Sequence, residues 1–172
     1  VYNEIKKGEV IEMGFFDALK KKGITVGSPL KGRCISLKEV PDATFSEGFL
    51  GDGVAIEPAD GKVYAPADGE ITTAFPTGHA VGMKTNNDVE ILIHVGIDTV
   101  KLEGKHFQLK VKEGQHVKQG DLLTDVDIAA VQAAGYNTVT PVIICNTSDF
   151  QSVEGLSNKD VVPGDDVIQI KK

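Results

Sequence analysis

From about Ser28 onward the chain is a series of short runs rich in Val, Ile and Thr, each closed by Gly, Pro, Asp or Asn. Runs of about four to eight such residues between turn formers read as strands, because branched side chains suit a pleated surface and the breakers reverse the chain. Strands are predicted at 33–37, 53–57, 62–65, 69–74, 80–84, 89–95, 107–111, 121–125, 139–145 and 166–170. Nineteen glycines suit a chain that reverses this often. The only later helical stretch runs from Asp127, a candidate N-cap, to Gly135, its stop.

A weak internal echo suggests how the strands are organised. Ser28-Pro-Leu-Lys-Gly32 and Ala65-Pro-Ala-Asp-Gly69 share a Pro-x-x-Gly turn, and each is followed by a glycine-led strand entry, Gly51-Asp-Gly-Val-Ala-Ile and Gly78-His-Ala-Val-Gly-Met. Two similar units packed face to face would make an antiparallel sandwich. Turn chemistry recurring by chance is the other reading. The expected class is all-β, one domain over 28–172, preceded by a flexible leader over 1–27. Within that leader Phe15, Phe16 and Leu19 share one side of a short amphipathic helix over 14–22, with lysines on the remaining surface. Met13 is a candidate start of the native protein.

A chain of 172 residues buries ~70% of its unfolded surface and needs no disulfide or metal staple. Its two cysteines, Cys34 and Cys145, lie far apart and form no CxxC pair, which points to a reduced, cytoplasmic compartment. No run reaches the ~20 apolar residues of a membrane span. The net charge of −7 argues against nucleic-acid binding, where Lys and Arg must outnumber acids, and suits a basic protein partner.

Chemistry concentrates in two segments. In Val89-Glu-Ile-Leu-Ile-His-Val-Gly-Ile-Asp98 the alternation puts Val89, Ile91, Ile93 and Val95 on a core face and Glu90, Leu92 and His94 on the other. His94 is then partly desolvated yet reachable, as a nucleophile requires; a surface histidine without a role fits the same pattern. In Phe75-Pro-Thr-Gly-His79 a turn histidine enters a strand, and Thr77 is placed to hydrogen-bond one ring nitrogen and set the tautomer. His106 and His116 read as surface histidines.

Together, Thr77-x-His79-Ala and Glu90-Ile-Leu-Ile-His94-Val-Gly-Ile-Asp-Thr-Val100 resemble the signature of the glucose-family enzyme IIA component of the bacterial sugar phosphotransferase system. The resemblance continues through Pro41-Asp-x-x-Phe45, Gly51-Asp-Gly53, Ala65-Pro-x-x-Gly69, Lys101-Leu-x-Gly104 and Thr140-Pro-Val142, roughly residues 28–170. Met13-Gly-Phe-Phe-Asp-Ala-Leu-Lys resembles the leader of free-standing members.

It implies a duplicated barrel-sandwich fold and a phosphotransferase component with a phosphohistidine intermediate. The carrier protein HPr would phosphorylate Nε2 of His94, and a sugar-specific IIB domain or IIBC transporter would take the group onto a cysteine. A backbone carbonyl near Gly96 would hold Nδ1 of His94, while His79, locked by Thr77, would donate to the phosphoryl oxygens. Asp42 and Asp98 would meet arginine on HPr, and Phe45 and Leu92 would belong to an apolar ring around the site. No cofactor is required, although His79 and His94 could hold a zinc completed by a regulatory partner's carboxylate. A regulatory IIA-like module on another transporter is the alternative within the family.

Two other classes fit fragments only. Val111-Lys-Glu-Gly-Gln-His-Val-Lys-Gln-Gly-Asp-Leu-Leu123 resembles half of a biotinyl or lipoyl carrier, but Thr124-Asp-Val-Asp-Ile-Ala-Ala offers no tether lysine. A zinc hydrolase needs three protein ligands, and the sequence places only His79 and His94 together.

The leader yields a prediction of its own. Each lysine gains ~1 kcal/mol near an anionic membrane while the apolar side inserts. A 13–24 peptide should therefore gain helix by circular dichroism on anionic vesicles and not on neutral ones; no gain on the anionic ones would leave it a linker.

Overall fold

Alternating buried and solvent-facing side chains build fourteen strands among residues 23–172, the part of the chain described by the computed structural model. They are β1 (Ile24–Gly27), β2 (Gly32–Ser36), β3 (Asp52–Pro58), β4 (Lys62–Tyr64), β5 (Gly69–Ala74), β6 (Ala80–Thr85) and β7 (Glu90–His94). After these come β8 (Phe107–Leu109), β9 (His116–Val117), β10 (Leu122–Val126), β11 (Thr140–Ile144), β12 (Ser152–Gly155), β13 (Lys159–Val161) and β14 (Asp166–Lys171). Two short helices, α1 (Ala43–Ser46) and α2 (Ile128–Ala133), join them. As predicted, Asp127 caps α2, accepting from the Ala130 N–H, and Gly135 follows with φ +94°. The helix predicted over 14–22 lies outside the described residues.

All ten predicted strands form, within a residue or two of their expected ends. Four further strands do not follow from the sequence pattern. β1 falls inside the stretch assigned to the leader, so the folded part begins before Ser28. Its four residues carry too little alternation to be seen alone; they are held by antiparallel pairing with β14, Ile24 opposite Ile170. Likewise β9, β12 and β13 are two to four residues long and mostly solvent-facing.

Every pairing is antiparallel, in an eight-stranded sheet of order β13-β2-β3-β11-β7-β6-β5-β9 and two three-stranded sheets, β1-β14-β12 and β4-β10-β8. This order accounts for the sequence echo. Read from its centre, the large sheet matches β11 with β7, β3 with β6, β2 with β5 and β13 with β9; the small sheets match β1-β14-β12 with β4-β10-β8. One unit, β4 to β10, is thus inserted between β3 and β11 of the other. The two Pro-x-x-Gly turns interlock reciprocally, the Tyr64 N–H donating to the Pro29 carbonyl and the Gly27 N–H to that of Pro66. The units therefore also join edge to edge, through β7 and β11, within one sandwich.

The main core lies between the sheets and includes Val26, Val54, Ile56, Ile71, Ile91, Ile93, Leu123, Ile168 and Ile170. A second, smaller cluster, Leu37, Val40, Phe45, Ala55, Val139 and Ile143, with Ile35, Leu92 and Ile97 packed on it, covers the opposite face of the large sheet. For this reason β11 is buried along its whole length. Cys34 and Cys145 are both free thiols; Cys34 is buried, which pushes its thiol up to about 11, while Cys145 is exposed. Among the described residues no helix is long and apolar enough to cross a membrane.

The pleat of β7 is testable by truncation. Ile93→Ala, emptying a fully buried site, should cost about 2–5 kcal/mol. Leu92→Ala, at a half-buried site on the other face, should cost about 1–2 kcal/mol. Urea unfolding midpoints measure both, and a larger loss at Leu92 would mean that the strand faces the other way.

Candidate functional site

Pairing of β6 with β7 brings the two histidines together. Ala80 lies opposite His94 in the register, and just beyond it the Val95 N–H donates to the His79 carbonyl at 2.7 Å. His79, the last residue before β6, and His94, the last of β7, are thus neighbours across an antiparallel pair. Their rings stand nearly perpendicular, at 81°, with centroids 5.1 Å apart.

Each ring is held at Nδ1. The Nδ1–H of His94 donates to the Gly96 carbonyl at 2.7 Å. A carbonyl can only accept, so the proton sits on Nδ1 and Nε2 keeps its lone pair. Thr77 Oγ1 and His79 Nδ1 share a hydrogen bond of 2.5 Å. Thr77 reaches the ring because Gly78, at φ +73° in the intervening turn, folds the segment back and donates to the Phe75 carbonyl.

Two aromatic rings flank the pair. Phe45 packs on His94 at 5.0 Å and Phe75 on His79 at 5.3 Å. Phe45 is only 5% exposed, so it backs His94 from below rather than offering much surface to a partner. The exposed aromatic is Phe75, 40% open to solvent, a residue the motif reading did not single out although it opens the Thr77–His79 turn. Leu92 is half-buried on the face that carries His94, as the alternation predicts. Asp42 caps α1 through the Thr44 N–H, and Asp98, exposed and at φ +59°, opens the turn Thr99–Leu102. His106 and His116 are exposed, as expected.

The family model for the phosphoenolpyruvate-dependent sugar phosphotransferase system, EIIA 1, matches residues 24–150. The chain belongs to this EIIA family. It is 44% identical over 147 residues to a glucose-specific EIIA component of Oceanobacillus iheyensis, covering 86% of this chain and 89% of that one. It is also 46% identical over 134 residues to a beta-glucoside-specific EIIBCA component of Dickeya chrysanthemi, where it spans 78% of this chain but only 21% of the relative. The solved glucose permease IIA from Mycoplasma capricolum superposes with a TM-score of 0.78 at 39% identity, over 85% of this chain and 94% of that one.

In this EIIA domain both imidazoles are kept neutral. Burial, reinforced by the neighbouring His94, lowers His79 to about 4. Burial also pushes His94 below the usual histidine value, against the opposing pull of the Gly96 carbonyl and of the carboxylates of Asp42 and Asp98. That pull places both aspartates electrically close to the ring. As for metals, no group of three or more His, Cys, Asp or Glu side chains is placed to hold an ion among the described residues. His79 and His94 give two of the three protein ligands a hydrolytic zinc requires.

Lowered values predict a pH signature. A histidine with a depressed folded value binds fewer protons than the unfolded chain, so stability rises with pH from about 4 to the unfolded value near 6.5 and is lost on acidification through that window. Urea unfolding at stepped pH should show this slope, reduced in His79→Gln. An NMR titration of the His79 ring should have its midpoint near 4; a midpoint at 6.5 or above would contradict the burial argument.

Proposed function

We propose that this domain carries a phosphoryl group on Nε2 of His94, taken from HPr and passed to a cysteine of a sugar-specific IIB domain, on the cytoplasmic side of the membrane. The observation that carries the reading is the bond from His94 Nδ1–H to the Gly96 carbonyl, which reserves one nitrogen and leaves the other as nucleophile. Relatives named EIIBCA components, such as those of Dickeya chrysanthemi and Halalkalibacterium halodurans, support a IIB acceptor.

The chemistry balances without a general base. The Nε2 lone pair forms the N–P bond as the donor's N–P bond breaks, and the proton on Nδ1 stays in place. Positive charge then develops on the imidazole, where the Gly96 carbonyl and the carboxylates of Asp42 and Asp98 already favour it. With Thr77 donating its hydroxyl proton to Nδ1 of His79, Nε2–H of His79 is free to donate to the moving phosphoryl oxygens. Transfer to IIB reverses the same steps, with neutral imidazole as the leaving group. Burial against Phe45 excludes water from the ring that reacts.

Asp42 and Asp98 also suit a basic partner, and half-exposed Phe75, lining the same surface hollow as Leu92, supplies apolar surface to the contact. Relatives named for glucose and for beta-glucoside match at similar identity, 44% and 46%, so sugar choice is assigned to the acceptor. The proximity of the two imidazoles supports a second use of the site, a zinc held by His79 and His94 and completed by a regulatory partner's carboxylate.

Phosphorylation through HPr from labelled phosphoenolpyruvate tests the assignments. His94→Ala should take up no label, and label in that variant would sink the acceptor. His79→Gln should accept phosphoryl but pass it to IIB about 10²–10³-fold more slowly. Asp42→Asn with Asp98→Asn should slow association with HPr at low salt, an effect that fades as the Debye length falls below ~8 Å.

A further inference from the structure

Two peptide planes meet at Gly96, and each is tied at both ends. In the first, the Val95 carbonyl accepts from the Thr99 hydroxyl at 2.5 Å, and the Gly96 N–H donates to the Val139 carbonyl at 3.1 Å. In the second, the Gly96 carbonyl accepts from His94, and the Ile97 N–H donates to the Asn137 carbonyl at 2.9 Å. A trans peptide is rigid and its C=O and N–H point in opposite directions, so holding the Ile97 N–H on one side aims the Gly96 carbonyl at the other.

Besides His94, Thr99 and Asn137 enter this frame through side-chain hydrogen bonds. Thr99 is wholly buried, with its hydroxyl on Val95. Asn137, exposed, accepts from the Val139 N–H through its side-chain oxygen at 2.9 Å, securing the strand entry whose two carbonyls hold Gly96 and Ile97. Both residues also crowd the position where Gly96 lacks a side chain. A Cβ built there would fall 2.5 Å from Thr99 Cγ2 and 2.9 Å from the Asn137 carbonyl, and φ is +79°. Glycine is therefore required between them.

We propose that Thr99 and Asn137 are positioning residues for phosphoryl transfer: they clamp the Gly96 peptide from two sides and so hold the proton of His94 on Nδ1. The proposal rests on the reading of His94 as the acceptor, but the clamp is measurable without any phosphoryl group. Thr99 touches neither the reacting nitrogen nor the phosphorus; it acts through the Val95 carbonyl and the carbon of Gly96. Thr99→Val keeps the shape and removes the hydroxyl, whereas Thr99→Ser keeps the hydroxyl. Asn137→Ala removes the acceptor for Val139 N–H, and Asn137→Asp restores one.

The test reads the tautomer of His94 in the full unphosphorylated chain by long-range proton–nitrogen NMR at pH 7.5, then the rate of uptake from phosphorylated HPr. Thr99→Val and Asn137→Ala should each mix Nε2–H into the population and slow uptake about 10-fold through kcat, with KM for HPr unchanged. The Ser and Asp variants should restore both readings. Should Thr99→Val not fold, Asn137→Ala decides, since its side chain lies at the surface. A His94 that stays wholly Nδ1–H in the folded variants overturns the proposal, as does a shifted tautomer with an undiminished rate. Wild-type protein labelled somewhere other than His94 would overturn the acceptor reading, a result separable from the tautomer measurement.

Discussion

Strand β7 has β6 on one side and β11 on the other, so its pleat is constrained more tightly than that of any edge strand, and the placement of His94 follows from it. Ile91 and Ile93 must face the core between the sheets, because slipping by one residue would exchange them for Glu90, Leu92 and His94. The second apolar cluster then covers the other face, so that a residue directed away from the main core is still shielded from water. His94 lies where a sheet normally meets solvent, yet Phe45 packs on its ring and burial lowers its proton affinity. An imidazole that is neutral near pH 7 and still reachable results from these two layers together.

The duplicated topology supplies the rest of the frame. With β7 and β11 as the equivalent central strands of the two units, the loop after β7 lies beside the entry to β11. The Gly96 and Ile97 N–H groups can then donate to the Val139 and Asn137 carbonyls, some forty positions away in the chain. A single unit would leave those backbone groups to solvent. The fixed carbonyl of Gly96 is thus a product of the joint between the units.

Much of this was legible in the sequence, for identifiable reasons. Strands with several alternating branched residues, such as β3, β6, β7 and β14, announced themselves, and so did the capped helix α2. β1 did not, because Ile24 to Gly27 is ordered by β14, about 140 residues later, and carries no local signal. The Pro-x-x-Gly echo proved to mark two turns bonded to each other. At the site, His79, Thr77, His94 and Gly96 stood in a long motif, and in the fold Thr77 bonds His79 and His94 bonds the Gly96 carbonyl. Phe45 is more deeply buried than an apolar rim residue, since α1 turns it down onto the second cluster. Thr99 stood in that motif without a role of its own, and Asn137 in neither motif nor periodicity; their importance lies in which carbonyl or amide they reach across the fold.

The central chemical question is which ring nitrogen reacts. In the phosphorylated protein labelled with 15N at histidine, proton–nitrogen and phosphorus–nitrogen couplings identify the substituted atom directly. With the Gly96 carbonyl holding the Nδ1 proton, the phosphoryl group should be on Nε2 of His94 and Nδ1 should remain protonated. A phosphoryl group on Nδ1 of His94, or on either nitrogen of His79, would contradict it.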